Sequence, residues 1–291
     1  MFDGVLSVIV CTHDRPGDLD RCLEALAALE DRVEVVVVDS ASARPCRALV
    51  ERFAARLPGL RYVYEDAPGL SRARNRGVAE SAGALVAFVD DDASVRPDWA
   101  RRIVAPFADP RIGCVGGACA PRFVVSPPPW LSARLLQFAG ITRFSGRGRE
   151  ARSSAEYPFG ANMCFRRMAL EDLGGFSAAL GRTGRTLLSG EEFELIDRVR
   201  RAGWRIWLEP AAVVDHTVAA DRCRSAYYWR RLWWQGVSRG RSRRSPALAA
   251  RLAAAGVVRL GLWLVTRDRV HLYRTAETAG YLAEVVRPAR A

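Results

Sequence analysis

Three aspartates in a row, Asp90, Asp91 and Asp92, close an apolar run reading Ala84-Leu-Val-Ala-Phe-Val89. A short uncharged run rich in Val and Phe reads as a strand buried on both faces, the kind found in parallel sheets. Carboxylates at the C-terminal end of such a strand project into the crevice where open α/β sheets take their ligands. Three adjacent like charges repel one another unless a cation neutralises them. The pattern therefore fits a divalent ion with oxygen ligands, able to bridge a diphosphate. The same acids also read as a solvated turn; the buried strand before them favours the ion.

The residues around this run alternate between two periods. Leu6 to Val10 is a strand, reached directly from Asp3 and Val5. Asp18 to Leu29 carries Leu19, Cys22, Leu23 and Leu26 at helical spacing, with Asp18 as the expected cap. Val33 to Val38 is a strand ending at Asp39, and Ala48 to Leu57 is a helix stopped by Pro58-Gly59. A strand from Arg61 to Tyr64, a helix from Ser71 to Ala82 and the run to Val89 complete a βαβαβαβ order, which implies parallel pairing with right-handed crossovers. Further on, helices are expected at Trp99–Phe107 and Glu191–Ala202, and strands at Gly113–Cys119, Gly160–Arg166 and Trp204–Leu208. Ser126 to Arg152 contains Pro127-Pro128-Pro129, and an Arg/Gly/Ser-rich piece runs from Ser145 to Ser154; the stretch reads as an irregular, flexible loop over a site. The fold class is thus α/β: a Rossmann-like, mostly parallel sheet flanked by helices, with a C-terminal helical extension. The composition shifts near residue 218, which divides a domain at 1–218 from an extension at 219–291.

All 44 basic residues are arginine, and the net charge is +12. Absence of lysine in an Ala-rich chain suggests coding bias, so placement says more than number. Arginines crowd Arg222 to Arg251, interleaved with Tyr227, Tyr228, Trp229, Trp233 and Trp234. A helix of that composition suits an anionic membrane surface or single-stranded nucleic acid, or packs its aromatics into the protein. The apolar run Leu252 to Val265 is broken by Arg259, and no stretch of about 18 uncharged apolar residues exists, so no transmembrane helix is expected. The N-terminus lacks the basic start and apolar stretch of a signal peptide. Seven scattered cysteines without CxxC spacing read as buried thiols of a reducing compartment, neither disulfides nor zinc ligands.

Four acid-bearing segments now line up along the chain. They are Val10-Cys-Thr-His-Asp14, Val38-Asp39-Ser40, Phe88-Val-Asp-Asp-Asp92 and Leu188-Ser-Gly-Glu-Glu-Phe-Glu-Leu195, followed by Val214-Asp-His216. This ordered set strongly resembles the family 2 glycosyltransferases, inverting enzymes of the GT-A fold, over about residues 5 to 217. Gly69 to Gly77 and Phe159 to Arg166 also look like family segments. The resemblance implies that Cys11, Thr12, His13 and Asp14 line the nucleobase, with His13 able to stack on it, and that Asp39 holds the base or ribose. Arg72 or Arg74 is placed to contact the nucleotide. Asp90, Asp91 and Asp92 match the DxD region: Asp92, with Asp90, holds Mg²⁺ or Mn²⁺ on the diphosphate, and Asp90 or Asp91 reaches the sugar or ribose. Which of the three coordinates directly stays open. His216 falls where the family places a histidine near metal or diphosphate. Glu192 matches the general base, in a place where the family often has Asp, and Glu191 takes that role if the register shifts by one. Gly160, Asn162, Gly174 and Gly175 read as turn and packing residues.

The resulting expectation is a metal-dependent inverting transferase that moves a sugar from a nucleotide sugar, a UDP-sugar before GDP- or dTDP-sugars, to an acceptor hydroxyl. The acceptor is a small molecule, a glycan or a lipid-linked molecule. The expected location is cytoplasmic, with peripheral contact at the inner face of the membrane through the C-terminal extension. Nucleic acid is not an expected partner. The alternative is a nucleic-acid- or membrane-binding module on a degenerate transferase fold, which would leave the acids without purpose. A nucleotidyltransferase would want a Gly-rich, basic phosphate loop near the N-terminus, where Thr12 to Pro16 offers only Arg15.

Overall fold

The computed structural model describes residues 6–142, 144, 146–184, 186–242 and 244–287; Asp3, Val5, Ser145 and Arg243 lie outside them. The described chain runs β1 (Leu6–Thr12), α1 (Pro16–Ala27), β2 (Glu34–Ser40), α2 (Arg47–Glu51), β3 (Arg61–Glu65), α3 (Leu70–Glu80), β4 (Leu85–Asp90) and β5 (Ala93–Val95). It continues with α4 (Trp99–Val104), β6 (Ile112–Phe123), α5 (Ala133–Leu136), β7 (Arg149–Glu150), β8 (Asn162–Arg166) and α6 (Arg167–Glu171). Last come α7 (Glu191–Arg201), β9 (Arg205–Val218), α8 (Ser225–Ser242), α9 (Pro246–Thr266) and α10 (Arg269–Val285).

The strands form one sheet in the order β3-β2-β1-β4-β8-β6-β9-β5, with β7 beside β9. The first four are parallel, as the alternation of strand and helix predicts. Beyond β4 the pairing turns antiparallel: β8 joins β4 and β6, and β9 joins β5. Period-two alternation sorts the buried strand residues onto two faces. Val8, Val10, Val35, Val37, Leu85 and Ala87 face α1 and α4 through Leu23, Leu26, Trp99 and Ile103. Ile9, Val36, Val38, Val86 and Phe88 face α3 and α7 through Ala73, Leu195, Ile196 and Val199. Because both faces are covered, these strands are apolar throughout, which is why they are legible as continuous runs.

Element ends differ from the periodic reading. Helix α1 starts at Pro16 with no side-chain cap, and Asp18 sits in its first turn instead of capping it. Proline at the first helical position has no N–H to satisfy and a fixed φ suited to the helix. Strand β9 extends 14 residues, far past Leu208, because its later half pairs with β5.

The chain divides into two compact units: Met1–Arg122, Gly140–Ala179 and Glu191–Thr217 in the first, and Phe123–Ala139, Leu180–Gly190 and Val218–Ala291 in the second. In the second unit α8 and α10 approach closely. A Cβ on Gly236 would fall 1.9 Å from the Glu277 carbonyl oxygen, and one on Gly280 2.1 Å from that of Trp233. Tyr228 stacks on Tyr273 at 5.8 Å, with Trp130 edge-on at 5.7 Å. Leu135 of α5 is buried in the same cluster, so part of the expected Ser126–Arg152 loop is ordered by its own apolar residues. The expectation of no membrane-length helix also changes. Helix α9 has 21 residues, and its most apolar 18-residue stretch has a mean hydropathy of 1.7 with 6% of that stretch buried. The uncharged run counted in the sequence stops at Arg259, whereas the helix continues through it.

Candidate active site

Strands β1, β2 and β4 end side by side, with Thr12 opposite Asp39 and Cys11 opposite Asp90 in the registers. Adjacent parallel strands that end at the same level bring their following loops together. Thr12 Oγ1 donates to Asp91 Oδ2 at 2.8 Å, and Arg15 Nη1 lies 3.1 Å from Asp91 Oδ1 and 3.5 Å from Asp92 Oδ2. Burial, with the neighbouring Asp92 and Asp90 charges adding to it, raises the Asp91 carboxyl to about 7 against the pull of Arg15 and Thr12. Cys11 is half-buried, and desolvation beside the aspartates pushes its thiol up to about 12, so it stays protonated.

The loop residues of the base region are ordered by one another. His13 Nδ1 lies 2.6 Å from the Ser40 carbonyl oxygen, and the His13 ring is half exposed. Asp14, in the left-handed region at φ 53°, accepts from Ala43 N at 2.8 Å. Asp39 is fully buried; its carboxylate accepts from Ser42 N at 3.2 Å, Cys46 N at 2.8 Å and the Tyr62 hydroxyl at 2.8 Å. Asp39 thereby pins the turn that follows β2.

Strand β9 delivers His216 opposite Ala93 of β5, just past the aspartates. Its Nε2 lies 3.0 Å from Asp92 Oδ1, and both side chains are buried. Its Nδ1 is buried with no hydrogen-bond partner among the described residues. One ligand atom from each of Asp90, Asp92 and His216 lies within 4.8 Å of the others. Two carboxylate oxygens and an imidazole nitrogen form a donor set that suits a divalent ion such as Mn²⁺ or Mg²⁺. The crowding of buried carboxylates is the cost that such an ion would remove.

Helix α7 carries the second group of acids at its N-terminus, where the helix dipole favours negative charge. Glu191 is buried and ion-paired to Arg74 of α3 at 2.9 Å; the other Arg74 nitrogen reaches Asp90 at 3.4 Å. Gly160 makes room for this guanidinium, since a Cβ there would fall 2.2 Å from Arg74 Nη2. Glu192 is buried, and its Oε2 has no partner among the described residues. Burial and then the Glu191 charge raise its carboxyl to about 8, against Arg74. Glu194 turns away to pair with Arg198 at 2.8 Å.

Arg72 lies on the exposed face of α3, whereas Arg74 enters the acid cluster. Helical spacing could have separated them: Ser71, Ala73, Arg74 and Gly77 form the buried side of α3. Arg15, which the sequence offers only as the lone basic residue of the 12–16 loop, lies between Asp91 and Asp92. Asn162 serves the fold: it donates to the Ala118 and Ala212 carbonyls at 2.9 Å and accepts from Trp99 Nε1 at 2.9 Å. Gly174 and Gly175 occupy turns with φ of 73° and 68°.

Comparison with known proteins decides what this arrangement belongs to. The family model described as glycosyl transferase family 2 matches residues 7–174, more than half of the chain. The chain belongs to this family. Among its relatives, a glucosyl-dolichyl phosphate glucuronosyltransferase of Haloferax volcanii is 25% identical over 241 residues, covering 80% of this chain and 76% of that protein. The succinoglycan biosynthesis protein ExoM of Rhizobium meliloti is 29% identical over 242 residues, covering 81% and 74%. The solved structure of mannosyltransferase PcManGT from Pyrobaculum calidifontis, in complex with GDP-Man and Mn²⁺, superposes with a TM-score of 0.67 at 22% identity, over 97% of this chain and 88% of that one. Residues 1–349 of TarS from S. aureus, in complex with UDP-GlcNAc, superpose with a TM-score of 0.59 at 15% identity, over 97% and 90%. This family 2 glycosyltransferase therefore has the GT-A fold expected from its sequence.

Proposed function

We propose that this glycosyltransferase moves a sugar from a nucleotide-sugar donor to an acceptor hydroxyl in one in-line displacement, with inversion at the anomeric carbon. The observation that carries the reading is the pairing of a three-ligand cluster, Asp90, Asp92 and His216, with a separate buried carboxylate, Glu192, whose proton affinity is raised. A cation at the cluster supplies charge neutralisation for the leaving diphosphate. Glu192 takes the proton of the acceptor hydroxyl as it attacks. We give this role to Glu192 rather than Glu191, because the ion pair of Glu191 with Arg74 supports reading it as the anchor at the start of α7. Cys11, Thr12, His13 and Asp14 border the nucleobase, with the exposed edge of His13 available for stacking. Asp39 contributes by holding the 40–46 turn, and exposed Arg72 is free to meet phosphate from outside the cluster.

UDP-sugars are the first donors to try, with GDP- and dTDP-sugars beside them. A cytoplasmic location accords with seven free cysteines, six of them buried. Calorimetry of UDP, GDP and dTDP in Mn²⁺, in Mg²⁺ and in EDTA tests the donor site. One nucleotide should bind tightly with metal and lose that binding in EDTA. Absence of binding under every condition would overturn the reading.

A further inference from the structure

From residue 219 onward the chain carries 15 arginines against four acids, which accounts for nearly all of the net +12. The acids are largely neutralised within the second unit. Buried Glu277 pairs with Arg239 at 3.1 Å and Arg274 at 3.2 Å, and buried Glu284 with Arg241 at 3.5 Å. Asp268 accepts from Val270 N at 2.9 Å, capping α10, and lies 3.5 Å from Arg134. What this segment presents to its surroundings is therefore cationic.

Helix α9 exposes a different surface. Val257 is 75% exposed and Val265 84%, and Val258, Leu260 and Leu264 are exposed beside them. The charge inside this apolar stretch, Arg259, is turned away: its Nη1 lies 3.1 Å from Thr278 Oγ1 and 3.5 Å from the Arg274 carbonyl oxygen, both on α10. At 100° per residue Val257 and Leu264 lie opposite Arg259, so the outward side from Leu252 to Thr266 is free of charge. That apolar band is about 20 Å long at 1.5 Å per residue. Exposed Arg251 stands at one end, and exposed Arg267 and Arg269 at the other.

We propose that α9 docks this enzyme on a bilayer rich in anionic lipid, lying in the membrane plane. Val257, Leu264 and Val265 enter the acyl boundary while Arg251, Arg267 and Arg269 meet headgroup phosphates. The arginine rim selects this occupant over a second copy of the chain, because two such faces brought together would oppose like charges around an apolar centre. In-plane docking follows from the attachment to α10. Carrying α9 across hydrocarbon would drag Asp268, Arg269, His271, Arg274 and Glu277 with it, and ionisable side chains are strongly disfavoured there. The inference is independent of the sugar-transfer reading, and its failure would leave that reading intact.

Flotation of the full chain with vesicles tests it. Vesicles of phosphatidylcholine with about a third phosphatidylglycerol should carry the protein up the gradient, and pure phosphatidylcholine vesicles should carry at least tenfold less. The double variant Val257→Asp/Val265→Asp alters two exposed side chains, so it keeps the fold. It should lose at least tenfold in vesicle binding at unchanged nucleotide affinity. Equal flotation of variant and wild type would overturn the assignment. So would a wild-type dimer in sedimentation, dissociated by the double variant, with no vesicle binding; the apolar face would then belong to a second copy.

Discussion

Arg74 Nη1 donates to Glu191 Oε1 at 2.9 Å, and each side chain is at most 4% exposed. The pair ties α3 to the start of α7, and its second nitrogen leans toward Asp90 at 3.4 Å. A buried ion pair gains little over a well-packed apolar pair, yet losing one partner leaves an uncompensated charge costing about 3–5 kcal/mol. Arg74→Met should therefore lower the denaturation midpoint sharply. The double variant Arg74→Met/Glu191→Met should recover much of that loss. Additive losses in the double-mutant cycle would show that the two residues do not stabilise each other.

The proposed base is the neighbour of that anchored residue. Glu192→Gln should reduce turnover by about 10²–10⁴-fold, the usual yield of general base catalysis, with nucleotide affinity unchanged. Because the Glu192 carboxyl is raised to about 8, kcat/KM for wild type should climb as pH rises toward 8 and level off above it. The residual activity of the Gln variant should lack that limb. A variant with full activity would transfer the role away from Glu192.

The same raised carboxyl carries a sign for stability. Between its ordinary 4.5 and the folded value of about 8, Glu192 holds its proton in the folded chain and releases it in the unfolded one. Its contribution is complete below 4.5 and is lost as pH rises through 8, at up to about 1.4 kcal/mol per pH unit. Wild-type stability should thus decline across this window. Glu192→Gln should decline less, with the raised Asp91 carboxyl leaving some slope. Urea midpoints at pH 5 and pH 8 for both proteins provide the check.

Much of this was legible in the sequence because β1, β2 and β4 are buried on both faces and must be apolar throughout, so the acids that end them stand out. The antiparallel part was less visible. β9 runs 14 residues with polar and apolar positions mixed, since its partners change along its length. Asp90 and His216 meet through strand pairing over more than a hundred residues, which no local pattern encodes. Arg74 and Arg72 are equivalent by composition, and only the buried side of α3 separates them. In the aromatic stripe of α8, Tyr228 is packed against Tyr273 while Trp229 and Trp233 stay exposed, and a longer exposed apolar face belongs to α9.

The cluster of Asp90, Asp92 and His216 yields the last prediction. Asp92 stands between His216 and Arg15: His216 Nε2 is 3.0 Å from one oxygen and Arg15 Nη1 is 3.5 Å from the other. With metal bound, Asp92 would exchange the imidazole contact for a shared ion, and nucleotide affinity in Mn²⁺ would depend on both residues. Asp92→Asn and His216→Gln should each weaken nucleotide binding in Mn²⁺ by at least tenfold, which is about 1.4 kcal/mol. In EDTA the variants and wild type should bind nucleotide equally weakly, since the lost interaction runs through the ion. Arg72→Ala, outside the cluster, should retain its metal dependence. Calorimetric titrations of the three variants in both media decide the matter: unchanged Mn²⁺-dependent affinity in Asp92→Asn would remove Asp92 from the metal site.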